Sequence, residues 1–89
     1  SARLDLTMLN QEYPHQVLLP ADDVRKMHDR VMAFHDEAAV PIRNRSARKD
    51  DKWYLLYCFA DRQHALEFRL MFGGELLDRP PPRQTEISE

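Results

Sequence analysis

The chain has 89 residues, one cysteine and a formal net charge of −2. This length predicts one domain, and the near-neutral charge excludes a whole-surface attraction to nucleic acid or anionic membranes. A single cysteine excludes an internal disulfide, and no apolar run approaches the ~20 residues that span a bilayer, so we expect a cytoplasmic protein.

Two short strands are predicted at the N-terminus. Leu4, Leu6 and Met8 alternate with polar residues, which is typical of a half-buried edge strand. Residues 10–14 (NQEYP) have the composition of a turn. The second strand is predicted over His15–Leu19, and the proline that follows ends it.

The longest predicted element is a helix from Asp22 to Ala39. Its first turn carries two acidic residues, which complement the helix dipole, and Pro41 stops it just behind its end. Apolar residues recur at three- and four-residue steps, which predicts one buried face. The residues of this face are Val24, Met27, Val31, Phe34 and Ala38.

A strand is predicted over Val40–Arg45, followed by a polar loop over Ser46–Asp51. The next eight residues, Trp53–Ala60, are all apolar or aromatic and contain no Gly or Pro. Such a run predicts a central strand covered on both faces. Period-two alternation places Trp53, Leu55, Tyr57 and Phe59 on one face of it.

A second helix is predicted after Asp61, whose carboxylate can cap the first turn. The expected buried face is made of Ala65, Phe68 and Phe72, widened by Leu66, Leu70 and Met71. The double glycine at 73–74 ends the helix, and the following leucine pair suggests a short final strand.

The order of elements predicts one α+β domain over residues 1–78 and a flexible proline-rich tail over residues 79–89. Two helices on one face of a mainly antiparallel sheet correspond to the ferredoxin-like βαββαβ plan, with the N-terminal alternation as an extra strand. The alternative is a less regular α+β sheet with the two helices packed across it.

The aromatic face of the central strand is the first candidate site. If it is open to solvent, a non-catalytic binding or assembly module is expected, with a second copy or another protein as partner. If residues 4–9 or the tail cover it, the face is only part of the core.

A basic segment before the central strand is the second candidate, for single-stranded nucleic acid. Its cations could follow phosphates while neighbouring aromatic rings stack on bases. The alternative is a solvated hairpin loop, since two aspartates interrupt it. The residues are Arg43, Arg45, Arg48, Lys49 and Lys52, together with Trp53 and Tyr57.

A small enzyme using His28, His35 or His64 is the third hypothesis. His28 and His35 lie seven residues apart on one helix, roughly 10 Å along its axis, which is too far to share a metal ion. Cys58 lies in an apolar strand and is expected to be an inert core thiol. The sequence predicts no metal site and no cofactor.

Overall fold

A four-stranded antiparallel sheet and four helices make up the described part of the chain, residues 6–78 of this computed structural model. The strands lie side by side in the order β2-β3-β1-β4. The α+β class is confirmed, whereas the predicted tail and Leu4 lie outside the described residues. The helices are α1 (Leu6–Glu12), α2 (Ala21–Lys26), α3 (His28–Ala38) and α4 (Arg62–Phe72), and the strands are β1 (His15–Pro20), β2 (Asn44–Lys49), β3 (Lys52–Phe59) and β4 (Glu75–Leu77).

Strand β3 is the central strand that the apolar run predicts, displaced by one residue. It pairs with β1 on one side, where Val17 lies opposite Tyr57, and with β2 on the other, where Asn44 lies opposite Tyr57. Its last four residues are buried. An eight-residue strand with two neighbours therefore holds the sheet together.

Helices α2, α3 and α4 cover one face of the sheet. Phe68 of α4 has no exposed surface, and its ring lies 4.8–6.0 Å, between centroids, from five other rings on α3, β3 and α4. Most of the apolar burial on this face is therefore centred on one aromatic cluster. The buried residues are Val17, Leu19, Val24, Val31, Phe34, Tyr57, Phe59, Ala65, Phe68 and Phe72.

Helix α4 begins and ends at the predicted residues. The Asp61 carboxylate accepts a hydrogen bond from the Gln63 N–H at 2.9 Å, and Gly73 follows the last turn with φ at 83°. Of the three residues predicted to widen its buried face, Leu66 is half-buried, and the prediction is wrong for Leu70, which is 87% exposed, and for Met71, which is 52% exposed. Both side chains lie past the edge of the sheet-facing stripe.

The predicted long helix is divided in two at Met27. The Met27 N–H bonds to the carbonyl of Val24, three residues back, which closes α2 before α3 begins. Val24, Val31 and Phe34 are nevertheless all buried, as their spacing predicts.

Helix α1 replaces the predicted N-terminal strand and covers the face of the sheet opposite the other helices. Leu9 is buried against Leu18, Ala47, Leu56 and Cys58. The same face holds a buried polar contact at its edge. The Gln16 amide donates to Asn10 Oδ1 and to the Tyr13 carbonyl, both at 3.0 Å, and accepts from Arg45 Nε at 3.2 Å.

A strand forms in the predicted region, but β2 starts four residues later than the predicted Val40–Arg45. The predicted loop at Ser46–Asp51 is wrong up to Lys49, where the chain is still in the strand, and only its last two residues form a turn. Strand β2 buries Arg45 and Ala47 and exposes the alternate side chains, so it has no apolar pattern that a sequence would reveal. A two-residue turn joins it to β3. Asp50 and Asp51 have φ of 53° and 62°, the left-handed values of a hairpin turn that matches strand twist.

Three polar side chains connect the end of the sheet to α4. Asp78, just after β4, lies 2.8 Å from His15 Nδ1 and 3.2 Å from Arg62 Nε. The hydrogen bond from His15, aided by Arg62, lowers the pKa of the Asp78 carboxyl.

Candidate binding surface on the β2–β3 hairpin

The hairpin divides the predicted basic segment between two faces of the sheet. The register places Arg48 opposite Trp53 and Lys49 opposite Lys52. Alternation then puts Arg48 and Trp53 on the face that carries α2–α4, and Arg45, Lys49 and Lys52 on the α1 face. The segment is therefore not one continuous basic surface.

The helices leave one corner of their own face uncovered. Among the described residues, α2 and α4 contact β3 on this face and none of α2, α3 and α4 contacts β2, whereas Leu9 of α1 packs against Ala47 of β2 on the opposite face. Asn44, Ser46 and Arg48 of β2 are consequently exposed, and Leu55 of β3 is half-buried. We call Asn44, Ser46, Arg48, Trp53 and Leu55 the hairpin surface.

Trp53 is the dominant side chain of the hairpin surface. It is 52% exposed, and the Arg48 guanidinium carbon lies 5.5 Å from the centroid of one of its rings. Such a cation–π contact contributes about 0.5–1 kcal/mol at an exposed site. Arg48 Nη2 also lies 3.4 Å from Asp51 Oδ1. Because this ion pair is exposed, it contributes little to stability. The surface thus presents a flat aromatic ring held beside a charged donor.

Tyr57 is a core residue and not a surface residue. Its exposure is 5%, and its ring packs against His35 and Phe68 with centroids 5.7 and 5.2 Å away. Burial raises the pKa of its hydroxyl, and a hydrogen bond with the Asn44 side chain opposes that shift. Of the two alternatives for the aromatic face, the covered one holds at Tyr57 and Phe59, because the helices reach that far along β3, and the residues that cover it come from α3 and α4 and not from residues 4–9.

Arg43 and Arg45 lie at the α1 side of the sheet. Arg45 is 6% exposed and bonds to Gln16, and desolvation lowers the pKa of its guanidinium. The Arg43 guanidinium carbon lies 5.6 Å from the Tyr13 ring centroid. Arg45 thus contacts Gln16 of β1 and Arg43 contacts Tyr13 after α1, on the face opposite Arg48 and Trp53.

The three histidines of the enzyme hypothesis are not brought together by any contact among the described residues. His28 is exposed on the first turn of α3. His35 is buried, and the Val31 carbonyl accepts a hydrogen bond from its Nδ1 at 2.9 Å. His64 is half-buried on α4. The arrangement provides no pair of histidines that could pass a proton between them.

Cys58 and His64 do line one small cavity, of about 170 Å³, at the end of β3. The thiol is not activated there. Its hydrogen is directed at the Leu56 carbonyl, 3.4 Å away, and burial raises the pKa of Cys58 to about 12 despite the nearby Arg45 charge. A thiol with this pKa is a poor nucleophile at neutral pH.

A second cavity, of about 420 Å³, is open to solvent beside the end of α3. Met32, Asp36 and Ile42 line it together with His35, whose Nε2 is buried and has no hydrogen-bond partner. No group of three His, Cys, Asp or Glu residues within the described range is arranged to hold a metal ion.

Comparison with known proteins adds no assignment: no protein-family model, no curated protein and no solved structure matches the chain. Within residues 6–78, no helix has the length and apolar character needed to cross a membrane.

Proposed function

We propose that the chain is a non-catalytic binding or assembly module whose contact surface is the hairpin surface. The observation that carries this proposal is the half-exposed Trp53 beside Arg48 on a corner that no described helix covers. Trp and Arg are the side chains most enriched among residues that dominate binding energy at protein interfaces.

The architecture behind this surface is, we infer, the ferredoxin-like plan with α1 added in front of it. Two features support it. The element order β1, α2–α3, β2, β3, α4, β4 is βαββαβ when the interrupted helix is counted once. Strand β3 also lies between β1 and β2, and β1 lies between β3 and β4, so each βαβ unit is split by a strand. An experimental structure tests this inference, and a different strand order would overturn it.

Helix α1 is important for the location of the contact surface because it covers the sheet face that three helices leave free. Leu9 and the half-buried Tyr13 occupy that face over Leu56 and Cys58. A ligand therefore meets the sheet at the hairpin, where Trp53 remains accessible, and not at the middle of the opposite face.

A peptide-display selection tests the protein-binding function for partner segments of any sequence. A random peptide library would be selected on the wild-type protein, and the retained peptides would be compared on Trp53→Ser and Leu70→Ser variants. Leu70 is the matched control, since it is an even more exposed apolar residue on α4. Peptides lost with Trp53→Ser and kept with Leu70→Ser would support the proposal.

Self-association is the assembly form of the same proposal and is measured by sedimentation velocity. A dimer that Trp53→Ser dissociates and Leu70→Ser leaves intact would also support the hairpin surface. A monomer that selects no Trp53-dependent peptide would overturn the proposal.

Single-stranded nucleic acid is the second candidate ligand, favoured by the one Arg48–Trp53 pair. Because the chain has one tryptophan, its emission reports directly on this surface. Base stacking on Trp53 would quench that emission, and raising the salt concentration would reverse it. Absence of quenching by an oligothymidylate at low salt would remove this candidate.

A further inference from the structure

Strand β2 has one backbone edge that is not paired with any strand in the described part of the sheet. Its position at the end of the order β2-β3-β1-β4 leaves that edge without a neighbour. Such an edge is a template on which another strand can form hydrogen bonds.

The register identifies the residues whose backbone groups point outward. The Cys58 N–H donates to the Arg43 carbonyl at 2.8 Å, and continuing the β2–β3 register by one residue puts these two opposite each other. Hydrogen-bonded and non-bonded pairs alternate in an antiparallel ladder. The N–H and C=O groups of Asn44, Ser46 and Arg48 are therefore directed away from β3.

These outward groups are accessible. The side chains of Asn44, Ser46 and Arg48 are all exposed, and outside the helices and the sheet ladder no backbone hydrogen bond of the described residues ends on them. The outward backbone edge and the side chains of the hairpin surface thus belong to the same three residues.

Charge selects the kind of strand that fits. Strand β2 (NRSARK) contains three cationic residues and no acidic one, and Lys52 follows directly after the turn. The two aspartates of the hairpin are confined to the turn itself. Arg45 is buried, so two copies of β2 side by side would bring Arg48 and Lys49 of each copy, four cations, into one ladder, whereas an acidic strand would be attracted to it.

We propose that the outer edge of β2 binds an extended acidic segment of another protein as an added strand. This inference depends on the proposed function, because it names the class of partner for the same surface. The outward N–H groups of Asn44, Ser46 and Arg48 donate hydrogen bonds to the added strand, and their outward C=O groups accept hydrogen bonds from it. The side chains of the added strand alternate between the two faces. On one face they meet Arg48 and, beyond it, Trp53.

The experiment uses two synthetic peptides of equal length, one alternating Val with Glu and one alternating Val with Lys. Each is titrated into the full chain while the emission of Trp53 is recorded. The glutamate peptide should change the emission saturably, and its affinity should fall as salt is raised. The lysine peptide should bind at least about tenfold more weakly, because like charges repel across the ladder.

A proline substitution separates strand addition from simple charge attraction. Ser46→Pro removes an outward N–H without removing a bond to β3, and proline is tolerated at such positions of an edge strand. Ser46→Pro should lower the affinity for the glutamate peptide at least about fivefold, which is the effect of losing one backbone hydrogen bond. Ser46→Thr keeps the N–H and is the matched control. Circular dichroism checks that both variants keep the wild-type fold.

If Ser46→Pro perturbs the fold, Arg48→Glu replaces it, and loss of glutamate-peptide binding with gain of lysine-peptide binding is then expected. Equal binding of the two peptides, or equal affinity in the proline and threonine variants, would overturn strand addition by an acidic segment. If strand addition is overturned but peptides from the display selection still need Trp53 for binding, the proposed function stands and this inference alone fails. If no displayed peptide depends on Trp53, the proposed function fails first.

Discussion

Replacing Phe68 with alanine should remove a large part of the free energy of unfolding of the domain. The side chain is fully buried, and its five ring neighbours come from three different elements, so the cavity cannot be filled by moving one helix. Phe→Ala changes in cores cost about 3–5 kcal/mol, and these ring contacts favour the middle or upper part of that range. We therefore expect a loss of about 4 kcal/mol from a total of about 5–15 kcal/mol.

Urea unfolding followed by far-ultraviolet circular dichroism measures this loss. The free energy of unfolding of a small protein falls by about 1–2 kcal/mol per molar urea. A loss of about 4 kcal/mol should therefore lower the urea concentration at the unfolding midpoint by about 2–4 M. Phe68→Leu keeps part of the side-chain volume and should lie between wild type and Phe68→Ala, which gives a ranking even if the alanine variant is unfolded. Leu70→Ala, two residues along the same helix and 87% exposed, should change stability by no more than about 0.5 kcal/mol.

This packing would be refuted if Phe68→Ala and Leu70→Ala lowered the free energy of unfolding equally. Equal losses would mean that α4 does not pack by the stripe that contains Phe68, and that the helix-side core is built differently. A loss of less than about 1 kcal/mol for Phe68→Ala would have the same meaning, because no fully buried aromatic residue is expected to cost so little.

Three further outcomes follow from the fold. Gly74→Ala should lower the melting temperature more than Gly73→Ala, since both have positive φ but a Cβ on Gly74 would lie 2.6 Å from the Leu18 carbonyl and one on Gly73 would meet open space; equal effects would contradict this packing. Cys58, with its pKa raised to about 12 by burial, should react with a thiol reagent at pH 8 only as fast as the chain unfolds, so rapid labelling of the folded protein would contradict its environment. Asp78 has a lowered pKa, so its contribution to stability is present above the usual aspartate pKa and is lost as pH falls through the folded value. Asp78→Asn should flatten that acid-side dependence, and an unchanged stability-against-pH profile would contradict the pairing.

The central strand and α4 could be predicted because their determinants are local. A run of apolar residues, a capping aspartate at 61 and a glycine at 73 each act within a few residues of where they stand. The exposure of Leu70 could not be predicted in the same way. It depends on how far the sheet extends beneath the helix, which is a tertiary property.

Helix α1 could not be predicted from its own segment, because two periodicities compete there. Leu4, Leu6 and Met8 fit a strand, whereas Leu6, Leu9 and Tyr13 lie at the three- and four-residue steps of a helix. The structure follows the second spacing, since Leu9 is buried and Met8 is exposed. The uncovered apolar face of β3 decides between them, and no single-segment pattern contains that information.

The candidate site could be predicted only in part, for a related reason. The sequence points to both Trp53 and Arg48, yet their being on one face depends on the two-residue turn at Asp50–Asp51 that fixes the register. Tyr57 shares that face by alternation and is still buried. Strand geometry gives the side of the sheet on which a residue lies, whereas the reach of the helices decides its accessibility.

The contact between α1 and the sheet has a practical consequence for anyone shortening or tagging this chain. A truncation within residues 6–12 would disrupt the helix that covers Leu56 and Cys58. If it extends past Asn10, it would also remove a hydrogen-bond partner of the Gln16 amide. Fusion partners attached ahead of residue 6 keep α1 in the chain, whereas chains that start at the first strand would lose α1 and expose the apolar sheet face that holds Leu56 and Cys58, which favours aggregation.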